Sequence, residues 1–313
     1  MGFLRLLEPL RTPFWDSIMG FVTTFGEETV LMIAGMALLW CLDKKWGFRL
    51  LFIGLIGNTL NQLLKAVFLI PRPWVLDKNF TIVESAREAA TGYSFPSGHT
   101  QTVTAVFGTI GLWQRKRKWV VICAAVAILL TGFSRMYLGV HTPLDVGVSL
   151  VTGMLTLLLL ARLFDRLENN RRGKLIFGGC AAVFAVILLC YLYFAPVRDA
   201  NVAEFDAHGL KSAWTLIGTM CGLMLAWWVD DKYTHFDTKA VWWAQILKLA
   251  LGLGIIMAVR VGLKGLLAAV FGSRPFTDGI RYFIMATAGG VLWPLTFKFW
   301  GKLGRKTTNE KTV

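Results

Sequence analysis

KWVVICAAVAILLTGFSRMYLGVHTPLDVGVSLVTGMLTLLLLA, residues 118–161, is the stretch that decides the fold class. Two apolar runs, 119–138 and 143–161, each reach the length of roughly 20 residues that carries an α-helix across a bilayer. Only a helix serves there, because every backbone polar group must be bonded within its own segment. Between the runs lies a short polar block: Ser134-Arg135, then His141, then Asp145. Thr142-Pro143 opens the second run, where a proline costs nothing because the first helical N–H groups have no intrahelical partner.

The same alternation continues in both directions. Spans are expected at about 17–42, 47–70, 97–114, 119–138, 143–161, 175–195, 213–229, 241–271 and 280–300. The expected fold is therefore all-α: a polytopic membrane helical bundle of about nine transmembrane helices. Residues 1–195 would form a core of six such helices behind an N-terminal interfacial helix. Residues 196–313 would add a three-helix membrane extension. Residues 1–16 read as that interfacial amphipathic helix, with Phe3, Leu4, Leu7 and Leu10 opposed to Arg5, Glu8 and Arg11.

Composition agrees. The chain is 55% hydrophobic and 17% charged, against about 25% charged in a soluble domain, and its mean hydropathy is +0.56. The formal charge of +14 would suggest nucleic acid in a soluble protein. Here the basic residues cluster in short loops between apolar runs and form no stripe interleaved with aromatics, so no nucleic-acid partner is expected. Cys41, Cys123, Cys180, Cys190 and Cys221 all fall inside apolar runs without a CxxC spacing, and read as small buried hydrophobes. The start, MGFLRLLEPLRTPFWD, is too polar and proline-broken for a cleavable signal peptide.

Orientation follows from the loops. Those after spans one, three, five and seven, with the tail, hold nineteen basic residues; the opposite set holds ten. The first set should be cytoplasmic, which leaves the N-terminus outside and the C-terminus inside. A bacterial plasma membrane is the expected location. Parity then puts four places on the same, outer side: the end of span two with Lys65 and Arg72, the start of span three with Ser97, Gly98 and His99, the end of span four with Arg135, and the start of span five with His141 and Asp145.

Each block has an ordinary reading. Lys65 at a span end can snorkel to the interface; Arg72 between Pro71 and Pro73 sits where a helix must stop; Ser97 can be a plain helix cap; Asp145 can simply favour a helix N-terminus. Each also has a chemical one. Free N–H groups at a helix N-terminus bind anions, and Gly98 lets a phosphate approach the backbone. His141 and Asp145, four apart, share a helix face, so the carboxylate can take one ring N–H and leave the other nitrogen to attack. Ionisable residues at a span are costly, and six of them on one side, all suited to phosphoryl transfer, favour the chemical reading.

The pattern K-x6-RP, PSGH, SR-x5-H-x3-D resembles the type 2 phosphatidic acid phosphatase superfamily, over roughly residues 45–165. LLFIGLIGNTLNQLLKAVFLIPRPWVLD (50–77), SRMYLGVH (134–141) and the expected nine spans are also similar to glucose-6-phosphatase; sphingosine-phosphate and undecaprenyl-diphosphate phosphatases share the same core. The resemblance implies His141 as nucleophile through a phosphohistidine, Asp145 orienting it, and His99 as acid and then base. It implies Lys65, Arg72 and Arg135 on the phosphoryl oxygens, with the N–H groups of Ser97 and Gly98 completing the cradle. Three cations would stand in for a metal, so no metal and no cofactor is implied.

The implied activity is an integral-membrane phosphatase acting on lipid phosphates or diphosphates, such as undecaprenyl diphosphate or phosphatidic acid, on the non-cytoplasmic face. A sugar-phosphate phosphatase resembling glucose-6-phosphatase is the alternative; transfer of the phosphoryl group to another acceptor is chemically adjacent, and an anion transporter is the remote one. The expected partners are such a substrate and membrane lipids. Two features stay open. GLKGLLAAVFGSRPF (262–276) echoes LLKAVFLIPRPW (63–74), with Lys264 and Arg274-Pro275 at the corresponding places; Arg260, Lys264 and Arg274 either bind a lipid head group or snorkel. Glu27 and Glu28 either mark where span one leaves the membrane or touch the substrate. His208 and His235 read as solvated loop residues.

Overall fold

The computed structural model describes residues 1–194 and 203–303, and these are helices and turns with no strand. In chain order the helices are α1 (Gly2–Leu7), α2 (Pro13–Thr24), α3 (Glu28–Ala37), α4 (Lys44–Phe68), α5 (Pro73–Leu76), α6 (Gly98–Trp113), α7 (Lys118–Tyr137), α8 (Pro143–Leu167), α9 (Arg171–Phe194), α10 (Ala203–Val229), α11 (Trp242–Phe271), α12 (Pro275–Thr287) and α13 (Phe297–Trp300). The expected all-α membrane bundle is the observed fold class, and the chain is a multi-pass membrane protein.

Among the described residues, six helical segments are long and apolar enough to cross a bilayer: α4 with α5, then α7, α8, α9, α10 and α11. The α2–α3 pair qualifies as a seventh if its 48° bend lies within one span. The third and ninth of the nine expected spans are shorter: α6 has 16 residues. α12 has 13, and passes through a π turn and a 3₁₀ turn into α13.

α4 is the central helix and packs against α3, α6, α8, α9 and α10. Near one end of the bundle Phe52 of α4 meets Phe164 of α8, Phe177 of α9 and Trp227 of α10, with ring centroids 5.2–6.0 Å apart. Tilted and edge-on pairs of this kind add about 0.5–1.5 kcal/mol each beyond their buried area. Lys44–Asp230 at 2.9 Å, Arg49–Asp165 at 2.7 Å and Lys174–Asp231 at 2.5 Å tie the same helices at that end. The opposite end holds the polar blocks.

The N-terminal segment departs from expectation. No single helix covers 1–16: α1 stops at Leu7, a 3₁₀ turn follows over Glu8–Leu10, and α2 begins at Pro13 under a Thr12 cap. Pro9 and Pro13 lack the N–H groups a continuous helix needs. Leu4 and Leu7 are buried, while Phe3 and Leu10 are exposed. Arg11 reaches into the bundle, donating through Nε to the Tyr137 carbonyl at 2.9 Å and lying over the Phe80 ring.

In the C-terminal part α10 and α12 touch backbone to backbone. A Cβ on Gly218 would lie 2.0 Å from the Gly279 carbonyl oxygen, and one on Gly222 would meet the Ala286 methyl. Small residues permit this approach, and in lipid such packing is what holds helices together. Lys264 and Arg274 are exposed, unlike the buried Lys65 and Arg72 they echo, so the repeat builds no second polar cluster. Of the expected loop positions, Arg198, Arg305, Lys306 and Lys311, and the 195/196 boundary, lie outside the described residues.

Gly218→Leu should therefore lower the melting temperature of the detergent-solubilised protein sharply, whereas Gly254→Leu, with open space around its Cβ position, should leave it unchanged. Equal melting temperatures for the two variants would refute the close α10–α12 contact.

Candidate active site

Each polar block owes its position to a helix end. α4 stops because Pro71 and Pro73 cannot continue it; Leu69 turns into the left-handed region at φ 55° and its N–H closes on the Lys65 carbonyl. Arg72 follows as N-cap of α5, with Pro73 in the first turn. Ser97 caps α6, its Oγ accepting from the Thr100 N–H. Thr142 and Asp145 form a reciprocal capping box at the start of α8. His141 is held by the turn between α7 and α8: the N–H groups of Val140 and His141 both donate to the Arg135 carbonyl, at 3.1 and 3.3 Å. Gly139 makes that turn at φ 80°, a conformation a Cβ would strain.

These ends converge. Lys65, Arg72, Arg135, His141 and Asp145 are each at most 7% exposed. The Arg72 guanidinium donates to the carbonyls of Gly92 (3.0 Å), Thr91 (2.7 Å) and Val140 (3.0 Å), and to His141 Nε2 at 2.9 Å. A guanidinium has no acceptor, so Nε2 carries the lone pair and the ring proton sits on Nδ1. Burial first, and then the charges of Arg72, Arg135 and Lys65, hold the His141 imidazole well below its ordinary pKa, so it is neutral. Lys65 Nζ donates to the Tyr93 and Ser94 carbonyls.

Arg135 is wholly buried, yet only its Nη1 has a partner, the Thr23 hydroxyl at 2.7 Å. Arg135 Nε and Nη2 and His99 Nε2 are buried with no hydrogen bond among the described residues. The Gly98 and His99 N–H groups at the start of α6 also have no acceptor there. Buried polar groups normally find partners. Three buried cations beside the Asp145 carboxylate, with Glu27 within electrostatic reach of Arg135, leave positive charge uncompensated. That arrangement is costly unless an anion completes it.

Two expectations need correction. The Ser97 N–H donates to the Asp145 carbonyl oxygen at 3.1 Å and is not free for an anion; the first-turn amides are. Asp145 Oδ2 stands 3.4 Å from His141 Nδ1, beyond a good hydrogen bond. It accepts instead from the Ser94 hydroxyl at 2.6 Å and the Thr142 N–H at 2.7 Å, so it faces the imidazole proton electrostatically.

Thr23, Gly26, Asn61 and the carbonyls of 91–94 were absent from the sequence reading, which had left the role of Glu27 open. Span one breaks at TTFGEE beside the site: a Cβ on Gly26 would lie 2.7 Å from the His99 Cβ and carbonyl oxygen, and the break delivers Thr23 and Glu27. A polar run inside an apolar span was the available signal. Asn61, one turn before Lys65 on the same face of α4, is 3% exposed with Nδ2 unpaired; its spacing to Lys65 could have flagged it. The carbonyls of 91–94 carried no signal. His208 is half-buried on α10, not in a loop, with Nε2 3.1 Å from Thr91 Oγ1.

Comparison with known proteins places the chain. The model of the PAP2 superfamily matches residues 46–168, and that of the PAP2 superfamily phosphatase transmembrane extension matches 214–306. The chain is 32% identical over 157 residues to the undecaprenyl-diphosphatase BcrC of Bacillus subtilis, covering 49% of this chain and 77% of that one. To the undecaprenyl-diphosphatase of Sulfolobus acidocaldarius it is 30% identical over 132 residues, 42% of this chain and 62% of that one. To sphingosine-1-phosphate phosphatase 2 of Mus musculus it is 26% identical over 233 residues, 72% of this chain and 61% of that one. The chain thus spans less than two thirds of the length of the last two relatives. No solved structure matches it. The chain belongs to the PAP2 superfamily, whose matched relatives are phosphatases.

An anion in this cluster should stabilise the fold. Orthovanadate at about 100 times its Kd should add about 2.7 kcal/mol and raise the melting temperature, while Arg135→Met should abolish the shift. An unchanged melting temperature in vanadate for the wild type would contradict the reading of the unpaired donors.

Proposed function

We propose that this member of the PAP2 superfamily hydrolyses phosphate and diphosphate esters of membrane lipids, through a phosphohistidine at His141, on the non-cytoplasmic face. The observation that carries the reading is the surplus of buried, unpaired cationic donors beside a neutral imidazole. The lipid substrate class is supported by the relatives, named for undecaprenyl diphosphate and sphingosine 1-phosphate. The outer face rests on the nineteen-to-ten split of basic loop residues.

The chemistry follows from the geometry. The phosphoryl group enters between Arg72 and Arg135, with Lys65 and the Gly98 and His99 N–H groups completing a cradle for its oxygens. Its oxygens take up the Arg72 N–H that now rests on His141 Nε2, which frees the Nε2 lone pair. Nε2 attacks phosphorus; the P–N bond forms and the P–O bond to the leaving group breaks. The departing oxygen takes a proton from His99, which sits on the first turn of α6 with Nε2 open. The phosphoimidazole keeps its Nδ1 proton and becomes cationic, a charge that Asp145 offsets. In the second half a water gives a proton to His99 and attacks phosphorus. The P–N bond breaks, inorganic phosphate leaves, and both histidines return to their starting states. The arginines and Lys65 supply the positive charge that a metal supplies in other phosphatases.

The test is phosphate release by the purified protein in detergent with EDTA present. Undecaprenyl diphosphate, phosphatidic acid, sphingosine 1-phosphate and glucose 6-phosphate are run side by side. Release from a lipid is expected, insensitive to EDTA and inhibited by vanadate. His141→Ala should cost about 10³-fold or more, as loss of a nucleophile does, and His99→Ala about 10²–10⁴-fold, with both variants still inserted and folded. Release from glucose 6-phosphate alone would replace the lipid reading with the sugar-phosphate one. Full activity in His141→Ala would end the phosphohistidine mechanism.

A further inference from the structure

Asn61 of α4 is 3% exposed, and its Nδ2 has no hydrogen-bond partner among the described residues. The chemistry set out above gives it no task. Leaving a buried donor unpaired costs stability, so a side chain kept in that state calls for a reason.

Its position follows from the packing of α4 on α6. The two helices run in opposite directions and meet closely. A Cβ on Gly57 would lie 2.6 Å from Gln101 Nε2, and Asn58 Oδ1 accepts from the Thr102 hydroxyl at 3.3 Å. That bond sets the register. One turn nearer the polar end, Asn61 faces the first turn of α6: its Oδ1 lies 3.7 Å from where a Cβ on Gly98 would stand. Lys65 follows one turn further along the same face of α4. Asn61 is therefore flanked by the Lys65 ammonium on its own helix and by the Gly98 and His99 amides across from it, which have no acceptor among the described residues.

We infer that Asn61 is a substrate-binding residue of the phosphoryl site, its Nδ2 donating to a nonbridging oxygen of the transferred group. The inference rests on the proposed phosphatase reaction and adds a residue to it. The surroundings favour a neutral donor at this place. Lys65, Arg72 and Arg135 are already buried together, and a fourth cation would add to their repulsion, whereas a carboxamide supplies an N–H without charge. The bond acts most strongly in the five-coordinate state, where negative charge is spread over the equatorial oxygens. It serves both half-reactions, because the same group passes through that state on the way to the phosphohistidine and again on the way to inorganic phosphate. No proton passes through Asn61, which keeps both of its N–H bonds throughout.

The test uses the full chain in detergent, with a lipid phosphate and a small aryl phosphate as substrates and orthovanadate as the anion probe. Asn61→Leu keeps the side-chain size and removes the carboxamide. Asn61→Asp keeps the shape, removes the donor and adds a negative charge beside Lys65. Asn61→Leu should lower kcat about 10²–10³-fold, as loss of one oxyanion donor does. The loss should agree within about threefold on the two substrates, because the bond is made to the transferred group and not to the leaving group. Vanadate affinity should fall about tenfold in Asn61→Leu and further in Asn61→Asp. Without vanadate, the melting temperature of Asn61→Leu should not fall, because an unpaired buried donor gives way to an apolar group of similar shape. A side chain that only packs α4 on α6 would give the reverse: a lower melting temperature, with vanadate affinity unchanged or equally reduced in both variants. That result, a kcat within about threefold of wild type, or a loss confined to the lipid substrate overturns the inference. A wild type that cleaves neither substrate overturns the phosphatase reading instead; the vanadate affinities of wild type and Asn61→Leu then still decide whether Asn61 binds the anion.

Discussion

The structure depends on one electrostatic constraint: Lys65, Arg72 and Arg135 are buried together at the end of a membrane bundle with too little negative charge to balance them. Backbone carbonyls carry part of the load. Thr91, Gly92, Tyr93, Ser94 and Val140 all turn their oxygens onto Arg72 or Lys65. Carbonyl dipoles can disperse a buried charge but cannot cancel it. The connection from α5 to α6 is thus shaped around the cations, and the remaining positive potential falls on one place, the neutral His141 imidazole.

Other elements are arranged to keep that place in position. The first membrane segment does not run straight; it breaks beside His99, where Gly26 allows contact with α6 and Thr23 meets Arg135. The N-terminal segment lies over the same end, with Arg11 bonded to the last turn of α7 and Tyr137 bonded in return to Asp16 and the Leu10 carbonyl. At the far end, aromatic stacking and ion pairs join α4, α8, α9 and α10. The extension is therefore tied to the core at both ends of the bundle: to α4 through Trp227 and Asp230 at one, and to Thr91 beside the polar cluster through His208 at the other.

Much was legible in one dimension because membrane helices obey local rules. The proline stops, the Ser97 cap and the Thr142–Asp145 start are read from neighbours a few residues apart and are found, as are six of the nine apolar runs as full-length spans. The expected gathering of Lys65, Arg72, His99, Arg135, His141 and Asp145 required only parity in addition, because a helix that spans a bilayer must return its far end to a known side. The errors came where a contact between distant segments outweighed the local pattern. Ser97 spends its N–H on Asp145, Asp145 spends its oxygen on Ser94 and Thr142, and His208, read as a loop residue, lies on a helix against Thr91.

By itself, then, the sequence determined an all-α membrane bundle with one polar end and the six ionisable side chains assembled there. Periodicity, helix-stop chemistry and the cost of unpaired backbone in lipid leave little else for such a chain. Only the tertiary structure decided how those side chains are partnered: which nitrogen of His141 faces Arg72, which donors of Arg135 stay unpaired, where span one breaks, and that His208 of the extension meets Thr91. Those outcomes turn on ångström-scale contacts between segments far apart in the chain, and no local pattern encodes them.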